Sequence, residues 1–223
     1  MSTLPETIER ETGASPRHSI IWLHGLGADG HDFVPLVPTL IAHDWPAIRF
    51  VFPHAPVRPV TVNGGLPMRA WYDIVAFDLN ARQDEAGIRE SMASVEALIA
   101  RENARGVADE RIVLAGFSQG GAIALSAGLR HAHPLAGIVA LSTYLPLAAA
   151  LATERSQANA AVPIFQGHGR FDPVVVPPRA IASREQLEHL GYKVDAHVYP
   201  MAHAVCVEEI ADLRAWLTPR LAG

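Results

Sequence analysis

The sequence is almost without cysteine, since Cys206 is the single cysteine among 223 residues. One thiol cannot form a disulfide within the chain, so the disulfide-stabilised class of small secreted domains is excluded. The first 18 residues contain no apolar stretch of the kind that a signal peptide has. Together these features predict a cytoplasmic protein.

Positive charge is also scarce, with 18 Lys and Arg against 23 Asp and Glu and a formal net charge of -5. The basic residues are scattered singly along the chain. Binding to a nucleic-acid backbone or to an anionic membrane surface needs clustered Lys and Arg. We therefore predict that nucleic acid is not a partner.

Long uninterrupted apolar runs are missing as well. Residues 112–129 and 135–153 carry no charged side chain and are long enough to be compared with a membrane span. The first run is broken by Gly116, Ser118 and Gln119, and the second by Ser142 and Pro146. Both runs indicate buried strands with attached turns and helix, so we predict no integral membrane segment.

The composition is typical of a globular protein, with 49% hydrophobic and 18% charged residues. Residues 1–223 are predicted to form a single domain, in which residues 1–18 are an irregular or edge segment. Short β-branched runs alternate with helical patterns. Strands are predicted at 19–23, 49–52, 111–115, 137–141, 162–166 and 194–199. Helices are predicted from Asp84 onward, at 119–129, at 179–190 and at 207–217. Pro219 follows the last of these helices, where a helix is expected to stop.

This alternation predicts an α/β fold, with a mostly parallel central sheet and helices on both faces. Ligands then bind at the carboxyl ends of the strands. Residues 54–83 form a long connection, which is often functional when it has no regular structure. It contains Leu66, Met68 and Trp71, which form either a wall of the substrate groove or an ordinary hydrophobic anchor for the loop.

The pattern Gly-x-Ser-x-Gly stands between a predicted strand and a predicted helix, in the stretch RIVLAGFSQGG of residues 111–121. A serine in such a strained turn is an activated nucleophile, and its neighbours two positions away must be small to avoid a collision. Gly116 and Gly120 satisfy that requirement. We therefore predict that Ser118 is the nucleophile, at the amino end of a helix whose dipole favours negative charge.

A serine nucleophile needs a general base, which histidine supplies near neutral pH. His203 follows the last predicted strand, at the edge of the sheet where Ser118 lies. His131 and His133 fall at the opposite edge of the sheet and His197 lies within a strand, so none of them is placed to reach Ser118. Three more histidines, His24, His54 and His168, follow strands but do not fit the order serine, acid, histidine of this kind of fold.

The acid that orients the histidine is expected after a strand between Ser118 and His203. Asp172 fits this position, whereas Asp195 lies within a strand. An aspartate that precedes Pro173 is also typical of an Asx turn. Both interpretations of Asp172 remain open at this point.

Backbone N–H groups near the serine are expected to stabilise the oxyanion. That of Gln119 begins the helix, and that of Leu26 lies in the small-residue loop at 24–27. A phosphate-binding loop is disfavoured because the glycine spacing is wrong and Asp29 would repel phosphate. A metal site at His24, Asp29, His31 and Asp32 matches no known spacing, and hydrogen bonds from His24 and Asp32 to the loop backbone are favoured instead.

Several longer segments point to one family. HGLGADG, APVRPVTVNGG, MRAWYDI, GFSQGG, LSTYLP, GRFDPVV and MAHAVCVEE resemble the bacterial carboxylesterase and acyl-protein thioesterase family. The resemblance covers nearly the whole chain. It implies an α/β-hydrolase fold with a minimal lid, the triad Ser118, Asp172 and His203, the oxyanion donors Leu26 and Gln119, and a substrate wall that includes Trp71.

The resemblance also implies that no cofactor and no metal is used, and that the protein is a monomer or a homodimer. We therefore expect a serine esterase that cleaves small-molecule esters of short to medium acyl chains through a covalent acyl-enzyme, with thioesters as a second class of substrate. Two alternatives remain open from sequence: an acyltransferase that uses the same acyl-enzyme, and a non-catalytic acyl-binding protein.

Overall fold

The computed structural model describes residues 4–76 and 82–221. The strands are β1 (Thr7–Glu11), β2 (His18–Leu23), β3 (Ile48–Pro53), β4 (Val57–Val60), β5 (Leu66–Arg69), β6 (Ile112–Phe117), β7 (Gly137–Leu141), β8 (Ile164–Gly169) and β9 (Val194–Tyr199). The α-helices are α1 (Val37–Leu40), α2 (Glu85–Ala104), α3 (Gln119–Gly128), α4 (Ala148–Glu154), α5 (Pro177–His189) and α6 (Val207–Leu221). Short 3-10 turns lie at Val34–Leu36, Thr61–Asn63, Asp109–Arg111 and Gln157–Asn159.

Seven of the described strands form one twisted layer in the order β1-β3-β2-β6-β7-β8-β9. Every neighbouring pair from β3 to β9 is parallel, and β1 pairs antiparallel with β3 at the edge. The N-terminal segment therefore holds an edge strand. The predicted mostly parallel sheet is confirmed.

The side chains of each central strand alternate between two hydrophobic cores. In β2, Ile21 and Leu23 belong to a core that contains residues of α2, α3, α4 and α5, whereas Ile20 and Trp22 belong to a core that contains residues of α1 and α6. Both sets of side chains are buried. Helices thus cover both faces of the sheet, and the six predicted strands and four predicted helices are present at nearly the predicted positions.

Two expectations from the sequence were wrong in detail. Residues 54–83 are not without regular structure, because β4 and β5 form a hairpin that turns at Gly64 and Gly65, both with positive φ. Residues 77–81 of that segment lie outside the described residues. The last helix also does not stop before Pro219: it continues to Leu221, which is fully buried on the same face as Leu217 and so favours the extra turn.

The fold brings three loops to one edge of the sheet. Ser118 directly follows β6, Asp172 comes after β8, and His203 comes after β9. Because β6, β8 and β9 run parallel, their carboxyl ends lie at the same edge. The predicted site residues are therefore close in space although up to 85 residues separate them in sequence.

One buried carboxyl group lies beneath this edge. Glu209, in the first turn of α6, is fully buried, and a side chain at Gly167 in β8 would collide with it. Neither carboxyl oxygen has a hydrogen-bond partner among the described residues. Burial therefore raises the pKa of Glu209 to about 8, although the nearby backbone N–H of Cys206 opposes the shift.

The raised pKa makes stability depend on pH. Between the ordinary glutamate pKa and about 8, the folded state keeps a proton that the unfolded chain has lost, so the free energy of unfolding falls as the pH rises. Glu209 should lower the free energy of unfolding by about 3 kcal/mol between pH 5 and pH 8. Glu209→Gln stays uncharged at both pH values, so we expect this decrease to be absent in the variant. Urea unfolding of both proteins at the two pH values measures it, and parallel pH dependence would contradict a protonated Glu209.

Candidate active site

Ser118 occupies a strained turn between β6 and α3, with φ 53° and ψ -120°. A non-glycine residue adopts such a conformation only where its surroundings impose it. A Cβ at Gly116 would collide with the backbone of Gly120, and a Cβ at Gly120 would collide with the backbone carbonyl of Leu23. The predicted need for small residues two positions before and after the serine is thus confirmed.

Hydrogen bonds from neighbouring elements fix this turn. The Ser118 N–H donates to the Leu141 carbonyl at 2.8 Å, and the Thr143 hydroxyl donates to the Ser118 carbonyl at 2.6 Å. Both partners lie at the end of β7, the strand next to β6. The serine is therefore held in place by two strands of the sheet and not only by its own loop.

His203 lies between Ser118 and Asp172. Its Nε2 is 2.9 Å from the Ser118 Oγ, and its Nδ1 is 2.7 Å from the Asp172 Oδ2. Since a carboxylate can only accept a hydrogen bond, it favours the tautomer with a proton on Nδ1, which leaves Nε2 free to accept the serine proton. The ring packs against Phe117, with 4.7 Å between the ring centroids.

The second oxygen of Asp172 makes the Asx turn that was left open from sequence. Its Oδ1 accepts hydrogen bonds from the backbone N–H groups of Val174 and Val175, at 2.8 and 2.9 Å. The carboxylate is buried, and the His168 Nε2 lies 3.6 Å from Oδ2, the same oxygen that contacts His203. Desolvation lowers the pKa of His168. The same aspartate thus both shapes its loop and contacts His203, so the two interpretations are compatible.

The two expected oxyanion donors line the same cavity as Ser118. Gln119 is the first residue of α3, where the helix itself offers no acceptor to the N–H. Leu26 lies after β2, and its N–H donates to no acceptor within the described parts of the chain. Both N–H groups are therefore available to an oxygen bound beside Ser118.

His24 supports the loop that contains Leu26. Its Nδ1 is 2.7 Å from the Gly25 carbonyl, and its Nε2 accepts from the Ala55 N–H at 3.0 Å. Burial lowers the pKa of His24 to about 4, so the ring is neutral near pH 7. The expected backbone bonding of His24 is confirmed, but for Asp32 it was wrong, because Asp29 is the carboxylate that accepts a loop N–H, from His31.

A cavity of about 240 Å³ opens beside Ser118. Its lining is mostly apolar and comes from six parts of the chain: the loop after β2, the segment after β5, the residues around Ser118, the loop after β7, the loop and helix after β8, and the loop after β9. The lining includes Leu26, Tyr72, Ile74, Tyr144, Val175 and Arg179. Such a mostly apolar space suits the hydrocarbon part of a small ligand.

The expected substrate wall of Leu66, Met68 and Trp71 was wrong. Among residues 4–76 and 82–221, none of these three lines the cavity. Trp71 is buried in the core, where its Nε1 donates to the His24 carbonyl at 2.9 Å. Leu66 is exposed and Met68 is half-buried on the β4–β5 hairpin, so the residues that follow Trp71 form the wall instead.

The Gln119 side chain joins this wall to the nucleophile turn. Its Oε1 accepts from the Trp71 N–H and its Nε2 donates to the Tyr72 carbonyl, both at 2.7 Å. Gln119 is buried, so these two bonds are shielded from water. The residue that offers the backbone oxyanion donor therefore also positions the cavity wall, a role that the sequence did not reveal.

We expect Gln119→Leu to lower kcat/KM roughly 10-fold and to destabilise the fold by about 2 kcal/mol, because two buried backbone groups lose their partners. Ester hydrolysis and urea unfolding measure the two effects. Gln166→Leu is the matched control, since Gln166 is also buried and donates to a backbone carbonyl, that of Ala180, outside the cavity lining. Equal losses of activity in both variants would argue against a positioning role for Gln119.

Comparison with known proteins identifies the family of the chain. A model of the phospholipase/carboxylesterase family matches residues 6–220. The chain belongs to this family. Acyl-protein thioesterase 1 of Mycosarcoma maydis is 40% identical to it over 94% of each chain, and acyl-protein thioesterase 1 of Neurospora crassa is 40% identical over 93% of this chain and 89% of its own.

Solved structures agree with the family assignment. SOBER1 of Arabidopsis thaliana superposes with a TM-score of 0.88 at 30% identity and covers 92% of this chain and 99% of its own. Acyl-protein thioesterase 2 of Zea mays has a TM-score of 0.84 at 30% identity over 98% and 100% of the two chains. The fold is the expected α/β-hydrolase fold. Fungal and plant proteins are among these relatives, so the resemblance is not limited to bacterial members.

Membership of the phospholipase/carboxylesterase family makes the protein a hydrolase. Across the described residues, no helix combines the length and the apolar character that crossing a bilayer requires.

Proposed function

We propose that the protein is a serine esterase that hydrolyses carboxylic esters of short to medium acyl chains, and thioesters, through a covalent acyl-enzyme. The observation that carries this proposal is the hydrogen-bonded chain from Ser118 through His203 to Asp172, which opens into an apolar cavity. The thioesterase names of relatives that are 40% identical support sulfur esters as substrates.

In the first half-reaction, the Ser118 Oγ attacks the acyl carbonyl carbon while its proton moves to the His203 Nε2. The carbonyl oxygen becomes an oxyanion that accepts hydrogen bonds from the Leu26 and Gln119 N–H groups. When the bond to the leaving group breaks, His203 returns the proton to the departing oxygen or sulfur. The acyl group is then bonded to Ser118.

In the second half-reaction, a water molecule attacks the acyl-enzyme and gives its proton to the His203 Nε2. The same two N–H groups stabilise the second oxyanion. Cleavage of the bond to the Ser118 Oγ, which takes the proton back, releases the carboxylic acid. Asp172 accepts the Nδ1–H bond throughout and stabilises the imidazolium that forms in each half-reaction.

Labelling and turnover test the proposal together. The purified protein should hydrolyse 4-nitrophenyl butyrate and the butyryl thioester of N-acetylcysteamine, and a fluorophosphonate probe should modify Ser118, located by peptide mapping. Turnover without labelling of Ser118 would contradict the assigned nucleophile, and absence of both would favour a non-catalytic acyl-binding protein. Ester products with an added alcohol in place of free acid would favour the acyltransferase.

We further propose that the enzyme acts in the cytoplasm on small-molecule substrates, as a monomer or a homodimer. The single cysteine supports a reducing compartment, because Cys206 is half-buried and forms no disulfide within the chain. Light scattering on the purified protein distinguishes the two oligomeric states.

A further inference from the structure

One part of the cavity beside Ser118 is polar. Tyr72, Tyr144 and Arg179 all contribute to the lining, and Tyr144 contacts each of the other two. The two phenol oxygens are 2.7 Å apart, and the Arg179 guanidinium carbon lies 3.5 Å from the centroid of the Tyr144 ring. We refer to these three residues as the tyrosine–arginine cluster.

Among the described residues, the charge of Arg179 has no counterion. Within residues 4–76 and 82–221, no carboxylate lies within 4.0 Å of the guanidinium, and its side chain donates no hydrogen bond. The residue belongs to the first turn of α5, where the helix dipole disfavours a cation. Within the part of the chain that the structure describes, neither an ion pair nor the helix therefore explains an arginine that is half-buried against the cavity.

The hydrogen-bonding groups of the cluster are mainly donors. Only one of the two phenol protons is used in the bond between Tyr72 and Tyr144, and the other has no acceptor among the described residues. Burial raises the pKa of the Tyr72 phenol well above its ordinary value, so it keeps its proton. A guanidinium has donors and no acceptor. A ligand that completes this cluster must therefore bring acceptor atoms.

Among the described residues, the carboxylates of Asp32 and Asp73 also line the cavity and are potential internal acceptors. Asp73 is already bonded to the N–H and the hydroxyl of Thr61, at 2.7 and 2.6 Å. Asp32 forms no ion pair with Arg179 in the described structure. A second arginine, Arg82, also lines the cavity, and its positive charge favours an anion that the substrate brings.

We propose that the tyrosine–arginine cluster binds a carboxylate on the acyl chain, so that the preferred substrates are half-esters or half-thioesters of dicarboxylic acids. This inference rests on the proposed function, because it places the scissile carbonyl at Ser118. The methylene chain between the two carbonyl groups lies against apolar lining residues such as Leu26, Ile74 and Val175. Arg179 and the spare phenol proton then bind the distal carboxylate.

A pair of substrates of equal chain length isolates the distal carboxylate. We compare mono-4-nitrophenyl adipate with 4-nitrophenyl hexanoate in the wild-type protein, Arg179→Met and Arg184→Met. Met keeps most of the aliphatic stem but removes the charge. Arg184 is the matched control, since it lies on the same helix and pairs with Glu188 at 3.7 Å.

We expect Arg179→Met to lower the ratio of kcat/KM for the adipate ester to kcat/KM for the hexanoate ester roughly 10- to 100-fold, which is the range for losing a charge-assisted hydrogen bond. The loss should lie mainly in KM, because the carboxylate is remote from the reacting carbonyl. Arg184→Met should leave the ratio of kcat/KM for the two esters unchanged. Arg179→Lys should restore part of the preference for the adipate ester that Arg179→Met loses.

Equal losses of kcat/KM on both esters in Arg179→Met would overturn the carboxylate site. So would a change in the adipate-to-hexanoate ratio of kcat/KM in Arg184→Met that equals the change in Arg179→Met. In either case hexanoate hydrolysis by the wild-type protein would leave the esterase itself supported. If the wild-type protein hydrolyses neither ester, the proposed function fails instead. The two failures are thus distinguishable in one experiment.

Discussion

Replacement of Ser118 by alanine is expected to lower kcat for 4-nitrophenyl butyrate by roughly four to six orders of magnitude, as removal of a triad serine does in other hydrolases. The physical reason is the loss of the Ser118 Oγ, which lies 2.9 Å from the His203 Nε2. Without it no acyl-enzyme forms, and water has to attack the bound ester directly. Steady-state hydrolysis at high enzyme concentration measures the residual rate.

The matched control for this variant is Ser126→Ala. Ser126 lies on α3, the helix that begins next to Ser118, and its buried hydroxyl has no hydrogen-bond partner in the described structure. Its removal should leave both kcat and the unfolding midpoint nearly unchanged. Near-normal turnover by Ser118→Ala, with the fold intact by circular dichroism, would rule out Ser118 as the nucleophile.

Local sequence patterns were sufficient to predict the elements that the site uses. The strained turn at Ser118 could be predicted because only glycine fits at 116 and 120, and collisions with backbone atoms, which no side-chain adjustment relieves, enforce that rule. The positions of Asp172 and His203 followed from strand order, since parallel strands bring their carboxyl ends to one edge. These features depend on backbone geometry, which short motifs encode.

The cavity wall could not be predicted in the same way, because it depends on which side of a loop faces the core. Trp71 and Tyr72 are adjacent in sequence and both apolar enough to line a groove. Only the bonds from Trp71 to Gln119 and His24 show that Trp71 is turned inward. The contact of Arg179 with Tyr144 joins residues that are 35 positions apart, and no periodicity in the sequence indicates such a pair.

Asp172→Asn is the second variant with a large expected effect, a loss of kcat of about 10⁴-fold, comparable to the equivalent change in a serine protease. The structure supplies the reason. The backbone N–H groups of Val174 and Val175 bind the Oδ1 atom, so the amide oxygen of the introduced asparagine would take that position and its NH₂ group would face His203. That group donates to Nδ1, which forces the ring proton onto Nε2.

A histidine with its proton on Nε2 cannot accept the proton of Ser118, although the loop and the ring stay in place. The variant should therefore keep its unfolding midpoint and still bind substrate, which separates a tautomer effect from misfolding. Asp195→Asn is the control, because Asp195 lies on β9, is exposed, and pairs with His197 at 3.0 Å. If Asp172→Asn lost less than about tenfold in kcat, Asp172 would be a loop-forming residue only, and another group would have to orient His203.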